Sequence, residues 1–257
     1  VQLHVLVTLY AAVVGLIVGS YLNVVIYRLP LGISTVTPRS RCPACGAPIR
    51  PWDNVPVVSW LVLGGRCRAC RARISWRYPA VEAATSVLFA ASFLRFGWSL
   101  ATPVSALFCA LMVVLAMIDF DHMILPDRIT LPGIAVGLAL QPWLPWGGLR
   151  GAVIGAVLGA AILLAVWGGW YLLRREEGMG LGDVKMLAMI GAFLGWKSML
   201  IALFFGTLSG AVVGLALLRW GSHGLGSKLP FGTFLALGGL LALFFGEPIA
   251  NYYAGLL

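Results

Sequence analysis

The chain has 257 residues, 60% of them hydrophobic and 11% charged, with a net charge of +9 and a mean hydropathy of +0.95. That is more apolar surface than a soluble core can hide, and it places the chain among integral membrane proteins. The positive charge does not point to nucleic acid: half of the 18 Lys and Arg residues fall in one loop, where a cytoplasmic face against anionic lipid accounts for them.

Apolar runs predict helices over residues 3–27, 79–96, 100–118, 129–144, 151–173, 184–195, 198–218 and 230–250. A spanning helix needs about 20 residues, so the first, third, fifth and seventh runs are long enough. The second, fourth and eighth need tilt or polar flanks. The sixth is short and begins with Asp183 and Lys185, which suits a short or re-entrant helix buried among its neighbours. The first run is too long for a signal peptide and lacks the charged start of one, so it is read as a retained helix. The expected fold is an all-α polytopic membrane protein with about eight transmembrane helices and a cytoplasmic four-cysteine, zinc-ribbon-like loop. Its expected divisions are a first helix (1–27), the loop (28–78) and a helical bundle (79–257).

Orientation follows from the basic residues. With eight crossings, one face collects Arg28, Arg39, Arg41, Arg50, Arg66, Arg68, Arg71, Arg73, Arg77, Arg128, Arg174, Arg175, Lys185, Arg219 and Lys228. That is 15 of the 18, and it leaves Arg95, Arg150 and Lys197 on the other face. The asymmetry puts the large loop in the cytoplasm and both termini opposite.

The loop carries Cys42-Pro43-Ala44-Cys45 and Cys67-Arg68-Ala69-Cys70, two C-x2-C knuckles separated by 21 residues. Two such knuckles supply four thiolates to one tetrahedral zinc, and a set with no spare position is structural rather than catalytic. Paired disulfides are the competing reading, which a cytoplasmic placement disfavours. A loop this small has too little core to fold alone, so metal would stabilise it directly. Cys109 sits alone in an apolar helix and reads as packing. Trp52, Asp53, Asn54, Trp60 and Trp76 read as packing the ribbon onto the membrane surface or as lining a second site, with structural packing the better account of each alone.

The chain has only nine acidic residues. One, Asp183, lies in Gly178-Met179-Gly180-Leu181-Gly182-Asp183-Val184-Lys185, between a glycine-rich turn and an apolar helix. Others cluster in Asp119-Phe120-Asp121-His122-Met123-Ile124-Leu125-Pro126-Asp127, at the end of an earlier run. Ionisable groups at membrane depth are costly and mark function by default. In the eight-crossing topology Asp119 closes the third helix, and Asp183 opens the sixth from the same side. The two carboxylates therefore share one depth. Asp121 is two residues from Asp119 and faces nearly opposite on a continuing helix. Pro126 ends one helix and restarts the next, leaving Asp127 at a helix start, where a solvated cap is common. A pair formed by Asp119 and Asp183 is expected to share one proton near neutrality, titrate as a unit and activate water.

With these motifs in order, the chain resembles the bacterial type IV prepilin peptidases, or leader peptidase/N-methyltransferases, which are membrane aspartic proteases of the GxGD type. The resemblance rests on residues 19–30, the cysteine knuckles, Trp52-Asp53-Asn54-Val55-Pro56, Ile74-Ser75-Trp76-Arg77-Tyr78-Pro79 with Glu82, and Ile118-Asp119 to Pro126-Asp127. It continues through Gly180-Leu181-Gly182-Asp183-Val184-Lys185 and Leu229-Pro230-Phe231-Gly232. Tyr21 and Thr233 depart from the pattern, where Phe and Pro are expected. The resemblance implies a bifunctional enzyme of the bacterial inner membrane. It cuts the short basic leader from prepilins or pseudopilins after a glycine at the cytoplasmic face, and it methylates the new amino terminus with S-adenosylmethionine. It makes Asp119 and Asp183 the catalytic pair. No Rossmann fingerprint exists to hold the methyl donor, so its pocket is expected from loop and helix ends, with Asn23, Arg28, Asp53, Asn54, Arg77 and Glu82 as candidates. The substrate's apolar helix is expected to enter between helices. Gly155, Gly159, Gly206, Gly210 and Gly214 offer close approach there, although packing inside the bundle accounts for them better. Two rivals stand beside this reading: an ion- or proton-coupled transporter, and an inactive zinc-ribbon scaffold.

Overall fold

A computed structural model describes residues 2–175, 180–220 and 229–255; Gly178, Met179 and Lys228 of the preceding expectations lie outside them. Eight α-helices follow in order: α1 (Gln2–Arg28), a short α2 (Val58–Val62), α3 (Arg77–Phe96), α4 (Ala101–His122), α5 (Asp127–Leu140), α6 (Gly148–Arg174), α7 (Leu181–Arg219) and α8 (Phe231–Ala254). Among the described residues, extended pairing is confined to two isolated bridges, Arg41 with Pro48 and Arg66 with Arg73. Five helices, α1, α4, α6, α7 and most of α8, are long and apolar enough to cross a membrane. The charged ends of α3 and the 14-residue length of α5 keep those two outside that group.

The chain divides into two units, Val1–Val114 and Leu115–Leu257. In the first, α1 lies on α3 through small residues. A Cβ at Gly15 would stand 2.7 Å from Ser86 Cα, and one at Gly19 the same distance from Glu82 Cα. Polar side chains then lock the two helices: Ser86 Oγ donates to the Ala12 carbonyl at 2.8 Å, and Asn23 Nδ2 donates to the Tyr78 carbonyl at 3.1 Å. The loop between α1 and α3 holds both cysteine knuckles, the turn Pro51–Asn54 and α2. Cys109 is buried in the apolar core of this unit, as read from its surroundings in the sequence.

In the second unit α7 is broken. Gly195 takes φ 77°, ψ 172°, which ends one helical limb and starts another. The predicted sixth and seventh helices are these two limbs. The first is enclosed on nearly every side: Val184 and all residues from Met186 to Gly195 are buried. Gly133 and Gly137 of α5 meet Met189 and Phe193, and Gly155 and Gly159 of α6 meet the backbone at Gly191 and Leu187. The second limb packs on α8, where Gly206 and Gly210 meet Leu235 and Phe234. Gly214 faces Leu229. The five glycines named from the sequence thus all serve packing inside the bundle.

The break at Gly195 is satisfied by a cap from the chain after α5. Gln141 Nε2 donates to the carbonyls of Ala192 and Phe193 at 2.9 and 2.7 Å, and Trp146 Nε1 donates to Phe193 at 2.9 Å. These carbonyls are the ones a helix C-terminus leaves without partners.

Candidate active site

Asp119 occupies the last turn of α4. Leu115 and Ile118 beside it are buried, Asp119 itself is 5% exposed, and Asp121 faces out. The helical period separates the two aspartates as the sequence predicts. The Met123 N–H closes the helix on the Asp119 carbonyl at 2.8 Å, with Met123 in the left-handed region at φ 53°. Pro126 is extended and α5 restarts at Asp127, also as predicted.

Asp183 is the third residue of α7, after the extended Gly180 that precedes the helix, and is 7% exposed. Two close approaches bring it to Asp119. A Cβ at Gly182 would stand 2.9 Å from Leu125 Cβ. A Cβ at Gly232 would stand 2.9 Å from Leu125 Cδ1 and 3.0 Å from both Cγ and Oδ2 of Asp119. Leu125 is thus a buried wedge, with the Asp183 turn on one side and the start of α8 on the other. The two carboxylates lie within electrostatic reach of each other. Both helix starts need bare backbone here, because a side chain at either glycine would displace the wedge.

Thr233, noted in the sequence only as a departure from a pattern, is a partner of Asp119. Its N–H donates to Oδ2 at 2.8 Å, and its hydroxyl donates to the Ala116 carbonyl at 2.9 Å and lies 3.4 Å from the same Oδ2. The position two residues after the start of α8 was the available signal, since first-turn N–H groups have no helical acceptor. Lys185 forms an ion pair with Asp127 and ties the start of α7 to that of α5, so Asp127 is more than a solvated cap.

In the first unit the Sγ atoms of Cys42, Cys45, Cys67 and Cys70 all lie within 4.8 Å of one another, with Cys42 and Cys70 at 3.8 Å. A zinc with arms of about 2.3 Å has tetrahedral sulfur–sulfur edges of roughly 3.8 Å, so the donor set fits that ion. The knuckles share one backbone design. The N–H of Cys42 bonds to Ala47 and that of Cys67 to Ala72, and Gly46 and Arg71 take equivalent left-handed positions at φ 69° and 61°. The N–H groups of Cys45 and Ala44 pull the Cys42 thiol down to about 7. The Ala47 N–H acts the same way on Cys45, but the neighbouring thiols and burial outweigh it and leave that thiol at about 11.

Beside the knuckles is a cavity of about 820 Å³, within the usual range for a small-molecule site. Asn23, Arg28, Asp53, Asn54 and Glu82 line it, five of the six residues singled out for a methyl donor; Arg77 opens α3 but does not line the cavity. Glu82 is buried and accepts the Val57 N–H at 2.7 Å, with Val57 held at φ 60°. A β-branched residue there is strained and persists only when its surroundings fix it. Arg68, not foreseen as a partner, hydrogen-bonds Asp53 and holds its carboxyl below the usual carboxylate range.

Residues 13–96 match the family described as Bacterial Peptidase A24 N-terminal domain, and residues 106–215 match the Type IV leader peptidase family. Among curated proteins, the chain is 40% identical to a prepilin leader peptidase/N-methyltransferase of Burkholderia pseudomallei, over 93% of this chain and 85% of that one. It is 38% identical to a protein of the same name from Pseudomonas aeruginosa, over 93% and 90%. A third, from Myxococcus xanthus, is 46% identical over 80% of this chain and 62% of its own. No solved structure matches the chain.

Proposed function

Because the chain belongs to the type IV leader peptidase family, we propose that it cleaves the leader of prepilins or pseudopilins with Asp119 and Asp183, and then N-methylates the new amino terminus. The observation that carries the first half is the convergence of two buried carboxylates from separate helices, wedged together by Leu125. An ion-coupled transporter finds no support in the comparisons, and an inactive scaffold gives no reason to bury such a pair.

The chemistry is that of an aspartic protease. Asp119, whose carboxylate form is stabilised by the Thr233 N–H, accepts a proton from water as the water oxygen bonds to the scissile carbonyl carbon. Asp183, carrying the shared proton, hydrogen-bonds the carbonyl oxygen and stabilises the charge that develops there. Collapse of the tetrahedral intermediate breaks the C–N bond, and the proton taken up by Asp119 passes to the leaving amine. The leader ends in a carboxylate, and the shortened protein begins with a free amine.

That amine is the methyl acceptor. S-adenosylmethionine, when bound, supplies an electrophilic methyl group. The cavity of the first unit fits it by size and by the carboxylates of Asp53 and Glu82, which suit a cationic ligand and its hydroxyl groups, while Asn23 and Asn54 add amide contacts. The cavity draws on α1 and α3 as well as the loop, so the methylating half extends beyond residues 28–78 into both flanking helices. Zinc on the four cysteines would hold the loop in shape. The arginine asymmetry supports a cytoplasmic orientation for the catalytic pair and for the loop in a bacterial inner membrane, with anionic lipid as a further partner of the loop.

The test uses the purified full chain in detergent with a precursor pilin, comparing wild type with Asp119→Asn, Asp121→Asn and Asp183→Asn. Methylation of a pre-cut substrate is scored separately. The expected result is loss of cleavage in the Asp119 and Asp183 variants alone, with methylation kept in both. Precursor left uncut by wild type, or cut by either of those two variants, overturns the assignment.

A further inference from the structure

Arg68 lies between Cys67 and Cys70 of the four-cysteine cluster, and its side chain reaches Asp53 at the wall of the cavity. Its Nε donates to Oδ1 and Oδ2 of Asp53 at 3.0 and 2.9 Å, and a terminal nitrogen donates to Oδ1 at 2.6 Å. The Asp53 side chain is only 9% exposed and the Arg68 side chain about half exposed. The carboxylate is therefore held by this fork at the wall of the cavity. Asp53 belongs to the turn Pro51–Asn54. A few residues on, the Val57 N–H is bound by Glu82 of α3. One short path thus runs from Cys67 through Arg68 and Asp53 to Glu82, and every member from Cys67 to Glu82 except Val57 lines the cavity.

We propose that Arg68 couples the metal site to the ligand cavity, so that zinc on the four cysteines and an S-adenosyl ligand strengthen each other's binding. The proposal rests on the reading of this cavity as the methyl-donor site. The second knuckle is closed by its own backbone, Cys67 N–H to Ala72 and Arg71 N–H to Cys67, and is tied at its base by Ile74 N–H to Gly65 and by Trp60 Nε1 to Ile74, while the four-sulfur cluster brings it against the first knuckle. A metal that joins the knuckles therefore sets where the guanidinium stands. With the knuckle free, Asp53 loses its fork partner, and the cavity wall loses its shape and its balance of charge. Linkage requires the reverse effect to equal the forward one: a ligand held on Asp53 and Glu82 raises zinc affinity by the factor by which zinc raises ligand affinity. Lysine in place of Arg68 keeps the charge but lacks the planar fork, so it restores only part of the coupling.

The experiment measures zinc affinity of the full chain in detergent by equilibrium competition with a chromophoric chelator, with and without saturating S-adenosylhomocysteine. Affinity of that ligand is measured with and without zinc. Wild type is expected to show the same ratio in both directions, about fivefold or more, the lower edge of typical couplings. Arg68→Ala is expected to bind zinc and to bring both ratios close to one, with Arg68→Lys between. A merely structural role for Arg68 would lower zinc affinity and leave the ratio unchanged. Wild-type ratios of one, or an undiminished ratio in Arg68→Ala, overturn the coupling alone. Failure of the zinc-loaded wild type to bind S-adenosylhomocysteine overturns the cavity reading, and the coupling with it.

Discussion

Replacing Gly232 by alanine tests the geometry of the catalytic pair with one methyl group. The new Cβ would stand 3.0 Å from Cγ and Oδ2 of Asp119 and 2.9 Å from Leu125 Cδ1. Carbon atoms rest at about 3.5–4.0 Å, so the neighbours must give by roughly 0.5–1 Å. Leu125 has little freedom to yield, because its Cβ already faces Gly182 at the distance where a methyl group would not fit. The Asp119 carboxylate is the group that moves, and its 2.8 Å bond from the Thr233 N–H stretches with it. Displacements of this size at reacting groups cost on the order of a hundredfold in rate. Overpacking costs about 1–3 kcal/mol of stability, of which the better helix propensity of alanine returns up to about 1 kcal/mol. The expected variant is folded, slightly less stable, and strongly reduced in kcat for precursor cleavage with little change in KM. Gly168→Ala in α6 is the control, since a Cβ there meets nothing within 4 Å. Wild-type kcat in a folded Gly232→Ala would refute the close contact of α8 with Asp119.

Thr233→Pro removes the N–H that serves Asp119 at a first-turn position where proline is tolerated, whereas Thr233→Ala keeps the N–H and loses only the hydroxyl. Losing one such donor costs about 1–3 kcal/mol, so the proline variant should cleave roughly tenfold to a hundredfold more slowly than the alanine variant; equal rates would exclude the backbone donor. Gln141→Leu strips donors from the carbonyls that end the first limb of α7 and should cost about 1–3 kcal/mol, read as a lower Tm in detergent. The loss is partial because Trp146 remains on Phe193, and an unchanged Tm would rule out the cap. Zinc affinity should fall as pH drops, because binding expels protons from thiols. The fall should steepen below the Cys42 value of about 7, where that thiol too must be deprotonated, and a chelator competition on either side of that pH checks it. Asp53 follows the carboxylate sign: its folded value is depressed by Arg68, so the pairing persists above the ordinary carboxylate range and is lost as pH falls through the depressed value.

Where the signal was periodic, the sequence was a sufficient guide. Asp119 was separable from Asp121 because two residues span more than half a helical turn, and α4 continues through both. The split of α7 was legible because an apolar run of about a dozen residues is followed closely by Lys197 in an otherwise apolar stretch. Which glycine breaks the helix was not legible: Gly191 and Gly195 are alike in the sequence, Gly155 approaches both, and the positive φ of Gly195 distinguishes them. The four cysteines were readable from spacing, because metal geometry constrains sequence over short distances. The cavity was readable only as a collection of polar residues. Bringing residues 23, 53 and 82 to one wall requires α1 and α3 to meet along Gly15 and Gly19, and apolar composition does not specify such pairings. Thr233 and Arg68 carried no pattern of their own, since each acts through one hydrogen-bonding direction that the distant chain defines.

The ends of helices explain why the pair is built from three of them. Asp119 stands at the C-terminal end of α4, where the exposed carbonyls and the helix dipole act against a carboxylate. Asp183 stands in the first turn of α7, where unpaired N–H groups and the positive end of the dipole act in its favour. Left so, the two groups would differ in the wrong sense for Asp119 to take a proton from water. The first turn of α8 corrects this by directing the Thr233 N–H, shared with the Pro230 carbonyl at 3.3 Å, at Asp119 Oδ2 at 2.8 Å, and Gly232 lets that turn come close enough to do so. The short first limb of α7 has a matching purpose. By ending at Gly195 and handing its last carbonyls to Gln141 and Trp146, it fits among α5 and α6 as an element enclosed on nearly every side, so Asp183 is carried on a helix with little room to tilt. The break and its cap hold one carboxylate still, and the start of α8 sets the charge of the other.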